Sequence, residues 1–280
     1  MSLIEKKLTI GFVESSISQR NEFTIQHFSV FRIITYCSLL ITYYSLNLKP
    51  FHFKKFSINQ SKDVFRVGTD GVLLGAMCSV ENATNILEVG TGTGLISLMI
   101  AQRNPKANIL AIDIDENAVK LAEENFTNTI FSGRLNVLNK DFKNFSGEEK
   151  FDFIVSNPPY FEENLSEKDV VARQRKELKF EDLVEKASEN LSENGIFSVI
   201  IPFESSEHFE KICSKNNLSL HRKIVVLGIQ NSNPKRVILE FGFKEKKAIQ
   251  SEFTIEKSPR KYTGEYLELT KDFHVFKTEH

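Results

Sequence analysis

The sequence predicts an α/β fold with a seven-stranded, mostly parallel sheet and an antiparallel C-terminal hairpin. From residue 86 onward, short apolar stretches of strand length alternate with longer stretches of helical periodicity, a pattern typical of strands joined by covering helices. Near the end of the chain, two consecutive apolar stretches are joined by the turn-rich sequence Asn231-Ser232-Asn233-Pro234. Such a short polar connection indicates a hairpin.

The predicted elements follow one another in a regular order. Strands are expected near residues 85–89, 109–113, 135–138, 151–155, 196–201, 223–227 and 236–243. Helices are expected near residues 94–103, 116–126, 180–191 and 206–216. Residues 162–179 have mixed charge and poor periodicity, and we expect them to form a mobile loop over a substrate pocket.

The composition is that of an ordinary globular protein, with 280 residues of which 41% are apolar and 26% charged. Cys37, Cys78 and Cys213 are widely spaced and show no zinc-binding or C-x-x-C pattern. We therefore expect reduced thiols in a cytoplasmic protein. The six histidines form no H-E-x-x-H pattern, so no metal site is predicted.

Charge is distributed unevenly, although the net charge is only −1. Residues 49–66 contain five Lys or Arg and one Asp, and residues 221–261 contain ten Lys or Arg and four Glu. These two basic stretches flank the predicted parallel strands, so a polyanion could cross the sheet. Lysines are also common on solvated surfaces, and charge alone leaves both interpretations open.

A glycine-rich loop, Glu88-Val89-Gly90-Thr91-Gly92-Thr93-Gly94, connects the first of these strands to an apolar helix. Glycines let the backbone turn sharply and approach a ligand closely. The spacing is G-x-G-x-G rather than the dinucleotide pattern G-x-G-x-x-G, and Glu88 would repel a pyrophosphate. S-adenosylmethionine fits better, because it carries an ammonium and a sulfonium but no phosphate. Glu88, Gly90, Gly92 and Gly94 are therefore candidate cofactor-binding residues.

Acids also end the next two strands. Asp113 stands about 20 residues after the glycine loop, where a carboxylate can accept hydrogen bonds from both ribose hydroxyls of a bound nucleoside. Alternatively, Asp113 or Asp115 caps the following helix, and we expect Asp115 to be the cap. Asp141 follows the third strand and could accept from an adenine amine, or it could be a solvated acid in a turn.

Asn157-Pro158-Pro159-Tyr160 directly follows an apolar strand. The prolines have no N–H, so their carbonyls are pure acceptors, and the Asn157 side-chain oxygen adds another acceptor. Tyr160 offers a flat ring for stacking. Together these groups could hold a planar amine, and the tetrapeptide resembles the signature of methyltransferases that act on exocyclic or amide nitrogen. The alternative is a plain Pro-Pro turn.

The first 47 residues carry none of these patterns. Residues 28–48 are rich in Ile, Leu, Tyr and Phe, but their uncharged part, residues 33–46, is short for a bilayer span and late for a signal peptide. It could be a helix packed on the domain, a membrane anchor, or translated sequence that is not native, and we favour the third. The predicted domains are an extension of residues 1–47 and a methyltransferase domain of residues 48–280.

With these motifs in order, the chain resembles the bacterial tRNA1(Val) (adenine(37)-N6)-methyltransferase family over about residues 50–276. The matching segments are Phe51-His52-Phe53-Lys54-Lys55-Phe56, Val67-Gly68-Thr69-Asp70-Gly71, the glycine loop, Ser156 to Phe161, Ala172-Arg173, Pro234-Lys235-Arg236 and Tyr262 to Thr270. The first two segments are the most specific to that family, because related families share the others.

The resemblance implies a Rossmann-like class I methyltransferase fold and S-adenosyl-L-methionine as cofactor. It implies methyl transfer to the N6 amine of an adenine in tRNA, at position 37 of valine tRNA, with the anticodon stem-loop as partner and neither DNA nor a membrane for residues 48–280. The implied catalytic residues are Asn157, Pro158, Pro159 and Tyr160. Asn157 would also contact the cofactor, and so would Thr69 and Asp70 unless residues 69–71 form a type II turn. The implied RNA contacts are Lys54, Lys55, Arg173, Lys235 and Arg236.

Three other functions fit parts of the sequence. Glutamine methylation of release factors uses the same tetrapeptide, but the basic stretches favour RNA. DNA adenine methylation is disfavoured because no separate target-recognition domain is evident. A non-catalytic RNA-binding protein is disfavoured because both the glycine loop and the tetrapeptide are intact.

Overall fold

The computed structural model describes residues 47–64, 66–159 and 178–274, which form an α/β structure. A separate two-stranded sheet comes first, made of β1 (Asn47–His52) and β2 (Ser57–Ser61), followed by helix α1 (Thr69–Met77). Because α1 includes residues 69–71 and Gly71 has no positive φ, the type II turn considered for this segment is wrong. No helix within the described residues is long and apolar enough to cross a membrane.

The main sheet begins with four parallel strands and their helices. In chain order these are β3 (Asn85–Val89), α2 (Leu95–Arg103), β4 (Asn108–Asp113), α3 (Glu116–Thr127), β5 (Leu135–Asn139) and β6 (Phe151–Ser156). Each of these elements was predicted to within two residues at either end. β3 and β6 are short and almost entirely buried, as expected for central strands covered on both faces, whereas β5 at the end of the sheet has a single buried residue, Leu135.

The C-terminal part of the chain extends the same sheet. It consists of α4 (Phe180–Asn190), β7 (Leu191–Pro202), α5 (Ser206–Lys215), β8 (Ser219–Ile229), β9 (Pro234–Gly242), β10 (Ile249–Ser258), β11 (Lys261–Tyr262) and α6 (Gly264–Thr270). β8 and β9 are antiparallel neighbours, which confirms the predicted hairpin.

The sheet has nine strands, in the order β11-β10-β8-β9-β7-β6-β3-β4-β5, so the predicted number of seven is too low. All seven predicted strands form, and β10 and β11 add to the edge. β10 pairs with β8 in parallel, yet only Phe253 among its residues is buried. A solvated edge strand of this kind lacks the apolar run by which the other strands were identified.

Two apolar layers cover the sheet. Ile238 on β9 belongs to the layer that packs under α1, α2 and α6, whereas its neighbour Leu239 belongs to the layer under α4 and α5. This alternation follows from the two-residue period of a strand. Arg236 is two residues from Ile238, so its side chain leaves the sheet on the α1 side.

Strand direction defines two opposite edges of the sheet. We call the edge at which β3, β4, β5, β6 and β7 end the carboxyl edge, and the opposite edge the amino edge. β8 and β10 also end at the carboxyl edge, because β9 is antiparallel to both β7 and β8 and β10 is parallel to β8. The β8–β9 turn and the β10–β11 turn therefore lie at the same edge as the end of β6. In α/β sheets ligands bind at this edge.

Candidate active site

The glycine loop has the backbone that a close ligand contact requires. Gly90, Gly92 and Gly94 have φ angles of 75°, 56° and 81°, in the left-handed region that favours glycine. A Cβ at Gly90 or Gly92 would meet no other atom within 4 Å, whereas one at Gly94 would collide with the Phe126 ring. Gly94 therefore permits helix packing, and Gly90 and Gly92 leave open space above the loop in which a ligand could lie.

Glu88 lies buried beneath this loop and organises it. Its Oε2 accepts hydrogen bonds from Thr91 Oγ1 at 2.9 Å, from the Ser97 backbone N–H at 3.1 Å and from Ser97 Oγ. Burial raises the pKa of the Glu88 carboxyl to about 7. Its other oxygen, Oε1, is buried and has no hydrogen-bond partner among the described residues. A buried acceptor without a partner is costly, and a cationic ligand beside it would offset that cost. The carboxylate therefore fits a cofactor that carries an ammonium and a sulfonium.

Sequence reasoning did not identify Ser97. It is a fully buried polar residue in a helix whose residues 95–101 are otherwise apolar, and that isolation was a usable signal because buried hydroxyls need partners.

Asp113 links the end of β4 to the glycine loop. Its Oδ2 accepts from the Gly92 N–H and its Oδ1 accepts from the Asp115 N–H, both at 2.9 Å. These bonds fix the carboxylate while leaving one lone-pair direction on each oxygen for further donors. Burial raises the pKa of Asp113. Asp115, as predicted, caps α3 by accepting from the Asn117 N–H.

Asp141 has a local structural partner. Its Oδ1 accepts from the Lys143 N–H at 3.0 Å and caps a short 3-10 helix at residues 142–144. The side chain is partly exposed after β5, which pairs with β4. The turn role considered for Asp141 is thus present, and its contact with an adenine amine stays a prediction.

The tetrapeptide begins next to the glycine loop. Ser156, the last residue of β6, pairs in register with Val89, the last residue of β3, and its Oγ donates to the Val89 carbonyl at 2.9 Å. Asn157 and Gly90 are therefore the first residues beyond two adjacent strands, which lie about 4.8 Å apart in a sheet. Asn157 is partly buried, Pro158 is buried and Pro159 is exposed. Tyr160 lies outside the described residues, as do Arg173 and most of the predicted loop.

Helix α1 begins beside this site. Arg236 Nε donates to Asp70 Oδ2 at 2.8 Å, and the position of Gly71 brings α1 against Leu95 at the start of α2. α1 therefore contacts both the helix that follows the glycine loop and the strand β9, two strands away from β6. Asp70 and Arg236, predicted as separate contacts to cofactor and RNA, form an ion pair instead of standing apart. Thr69 is exposed.

The remaining predicted RNA contacts lie at opposite edges of the sheet. Lys235 is exposed at the start of β9, on the carboxyl edge. Lys54 and Lys55 are exposed in the turn between β1 and β2, where the Lys54 N–H donates to the Phe273 carbonyl. The carbonyl of the preceding residue, Asp272, accepts a hydrogen bond from the Gln102 side chain in the last turn of α2. The last turn of α2 leads into the start of β4, so this lysine pair lies toward the amino edge.

The chain is similar to known methyltransferases. The model of the methyltransferase small domain family matches residues 60–214, more than half of the chain. A protein of Flavobacteriaceae bacterium (strain 3519-10) named tRNA1(Val) (adenine(37)-N6)-methyltransferase is 54% identical over 230 residues, which is 82% of this chain and 100% of that protein. A protein of the same name from Bacteroides fragilis is 39% identical over 231 residues, 80% of this chain and 97% of its own length.

Solved structures agree on the fold. A predicted O-methyltransferase, protein Atu636 from Agrobacterium tumefaciens, superposes with a TM-score of 0.58 at 20% identity, covering 73% of this chain and 96% of that one. At this identity the likeness concerns the fold, and it agrees with the Rossmann-like methyltransferase class predicted from sequence.

Proposed function

The chain belongs to the tRNA1(Val) (adenine(37)-N6)-methyltransferase family, and from this premise we propose that it methylates the N6 amine of the adenine at position 37 of valine tRNA. The methyl donor is S-adenosyl-L-methionine, and the partner is the anticodon stem-loop. One observation carries the proposal: the β3–β6 register brings Asn157 next to the open glycine loop. An amine acceptor and a cofactor site thereby become neighbours at one sheet edge.

Cofactor binding uses the carboxyl ends of β3 and β4. S-adenosylmethionine supplies an electrophilic methyl group on a positively charged sulfur. We assign Glu88 Oε1 to its cationic part, and the loop at Gly90 and Gly92 to close backbone contact. Asp113, held by two backbone N–H groups, would accept from the ribose hydroxyls. Asp141 would accept from the adenine amine of the cofactor, and residues Thr69 and Asp70 would border the site.

Asn157 and Pro158 act on the substrate amine. The lone pair of an exocyclic adenine nitrogen is delocalised into the ring, so the amine is a poor nucleophile. Asn157 Oδ1 and the Pro158 carbonyl would accept its two N–H bonds and localise the lone pair on nitrogen. The same two acceptors stabilise the positive charge that develops on nitrogen during transfer. Holding the amine in place contributes further, because it replaces an encounter in solution.

The target base has to leave its stack to reach this pocket. We assign the stacking platform for the extruded adenine to Tyr160, while Pro159 completes the tetrapeptide. An adenine in the anticodon loop is already single-stranded, so extrusion costs less there than in a duplex. The predicted RNA contacts Lys54, Lys55, Arg173, Lys235 and Arg236 would bind phosphates.

Transfer of a labelled methyl group from S-adenosylmethionine tests the proposal. We expect label in valine tRNA and none in a transcript in which the adenine at position 37 is replaced by guanine. Release factor is the matched alternative substrate, because glutamine methylation uses the same kind of acceptor pair. Label in release factor but not in tRNA would overturn the RNA assignment, and label in the guanine transcript would overturn the position.

A further inference from the structure

The carboxyl edge of the sheet changes its charge along its length. Around the carboxyl ends of β3 and β4, from the strand ends to the start of α3, the charged side chains are carboxylates, namely Glu88, Asp113, Asp115 and Glu116, and the exposed cation Lys140 follows β5 on that side. The other end of the same edge, formed by β9, β10 and β11, carries four exposed cations. We call this set the basic edge; its residues are Lys235, Lys257, Arg260 and Lys261.

Strand pairing brings the residues of the basic edge together. The Gln230 N–H at the end of β8 donates to the Glu256 carbonyl of β10 at 2.8 Å, which joins the β8–β9 turn to the end of β10. Ser258 pairs with Lys261 across the tight β10–β11 turn. β10 is four strands from β6, about 19 Å at the usual strand spacing. The basic edge is therefore a lateral continuation of the edge that carries Asn157.

Two acids lie within this region and do not cancel its charge. Glu256 is partly buried, and its Oε2 accepts from the Arg260 backbone N–H at 3.1 Å, so the carboxylate shapes the turn. Glu265 is exposed in the first turn of α6. Four cations against two carboxylates leave a positive surface.

The structure divides the long basic stretch of residues 221–261 into parts with different roles. Arg222 and Lys223 form ion pairs with Glu240 and Glu210. A second set is exposed in the loop between β9 and β10, at the amino edge, and consists of Lys244, Lys246 and Lys247. Besides Arg236, which is paired with Asp70, only the basic edge lies at the same edge of the sheet as the active site. The charge of the stretch as a whole does not show this division.

An aromatic ring adjoins these cations. Tyr262, next to Lys261 in β11, is 40% exposed, and its ring lies 4.7 Å from that of buried Tyr266 at an interplanar angle of 25°. Tyr266 is held in the apolar layer under the sheet, so the pair is anchored. Exposed aromatic rings beside Lys and Arg are the usual composition of surfaces that bind RNA strands.

We propose that the basic edge is a docking surface for the RNA backbone, which the tRNA contacts while its target adenine is at Asn157. This inference rests on the proposed tRNA substrate. RNA that enters the active site meets carboxylates on the β3–β4 side and cations on the β9–β11 side, so its phosphates are repelled from the first and attracted to the second. The same asymmetry suits a positively charged cofactor on the carboxylate side.

Two triple variants at opposite ends of β10 test the proposal. The first is Lys257→Gln/Arg260→Asn/Lys261→Gln, with Asn at position 260 because φ there is 65°. The matched control is Lys244→Gln/Lys246→Gln/Lys247→Gln, which removes the same charge from an exposed loop at the amino edge. Affinity for unmodified valine tRNA is measured by filter binding at several salt concentrations, with cofactor affinity and thermal melting recorded for both variants.

The basic-edge variant should bind tRNA roughly 10- to 100-fold more weakly near 0.15 M salt. The slope of log K plotted against log salt concentration should become less negative by about 2–3. The control should bind as the wild-type protein does. Equal tRNA affinity in the two variants would overturn the docking surface. If the triple variant melts early, Lys257→Gln/Lys261→Gln leaves the turn intact and should show a smaller loss of the same kind; no loss would also overturn the proposal. Failure of the wild-type protein to methylate any tRNA would instead overturn the proposed function.

Discussion

The two halves of the carboxyl edge are built in different ways. One half, at the ends of β3 and β4, is called the cofactor half, and the other, at β9 to β11, the C-terminal half. In the cofactor half, Glu88 bonds to residues three and nine positions away, and Asp113 bonds to Gly92, 21 positions away. In the C-terminal half, the ion pair between Asp70 and Arg236 joins residues 166 positions apart. The first half is assembled from one strand-loop-helix unit and its neighbour, whereas the second requires the whole sheet.

The two halves differ in the sequence separation of their bonded residues, and they also differ in charge, which agrees with the functions proposed for them. The local half is rigid in its hydrogen bonding and acidic, as a site for a small cationic ligand should be. The long-range half is basic and spread over three strands, as a surface for a polyanion should be. Asn157 stands at the boundary between them, at the end of β6.

The largest effect is expected at that boundary. Asn157→Ala should lower kcat by roughly 10²–10³, because an acceptor aimed at developing charge contributes about 3–4 kcal/mol. Affinity for cofactor and for tRNA should change little, because Glu88, Asp113 and the glycine loop hold most of the cofactor and phosphate contacts hold most of the tRNA. Single-turnover methylation of an anticodon stem-loop measures the effect. Tyr160→Ala should weaken base engagement by about 1–3 kcal/mol, whereas Tyr160→Phe should be tolerated. Near-normal chemistry in Asn157→Ala would remove this residue from the mechanism.

Glu88 makes the cofactor half sensitive to pH. Because burial raises its pKa to about 7 from an ordinary value of 4.5, the folded protein holds a proton that the unfolded chain releases. This contribution to stability is complete below pH 4.5 and is lost as pH rises through 7, up to about 3 kcal/mol in total. Denaturant unfolding should therefore show that the wild-type free energy of unfolding falls more steeply over this window than that of Glu88→Gln, which has no titrating group at this position. Parallel curves would contradict the assignment.

Asp113 and Asp115 are two residues apart but have different expected roles, the first in ligand binding and the second in capping α3. Asp113→Ala should weaken cofactor affinity by about 1.5–3 kcal/mol, roughly 10- to 100-fold, because charged hydrogen-bond acceptors are lost. Asp115→Ala should leave cofactor affinity unchanged and cost about 0.5–2 kcal/mol of stability through the lost α3 cap. Calorimetry and thermal melting measure the two effects. Unchanged cofactor affinity in Asp113→Ala would show that the ribose assignment is wrong.

The ion pair in the C-terminal half should have a modest effect. Asp70 and Arg236 are about a quarter to a third exposed, so we expect a coupling free energy of about 1 kcal/mol in a double-mutant cycle of Asp70→Asn and Arg236→Gln. Lys120 and Glu116 form a fully exposed ion pair within α3 and provide the control, for which no measurable coupling is expected. Equal coupling in the two cycles would show that the Asp70–Arg236 pair is only a surface contact.

The smallest effect is expected outside both halves. Removing residues 1–47 should leave folding and methyl transfer unchanged, because the resemblance to the family begins near residue 50. Thermal melting and turnover of the truncated chain measure this. Loss of folding would show that the extension is an integrated element of the protein.

Local sequence patterns were sufficient to predict the cofactor half. Buried parallel strands are short apolar runs, glycines mark the left-handed turns at residues 90, 92 and 94, and an acid at a strand end points to a cap or a ligand. All of these signals are local, so seven strands, the hairpin and the Asp115 cap were predicted correctly. The tetrapeptide was recognised for the same reason, since its chemistry lies in four consecutive residues.

The features that sequence patterns did not predict depend on how distant parts of the chain pair. β10 forms because β8 offers it a partner, not because its own sequence is apolar, so two strands were missed. Arg236 reaches Asp70 because antiparallel pairing places β9 beside β7. These two residues are 166 positions apart, and no sequence pattern predicts a contact over that separation. Lysines in similar sequence contexts lie at opposite edges of the sheet because Lys246 precedes β10, at the amino edge, and Lys261 follows it, at the carboxyl edge. The sequence gives the charge of each side chain, but the position of that charge relative to the active site depends on how the strands are paired.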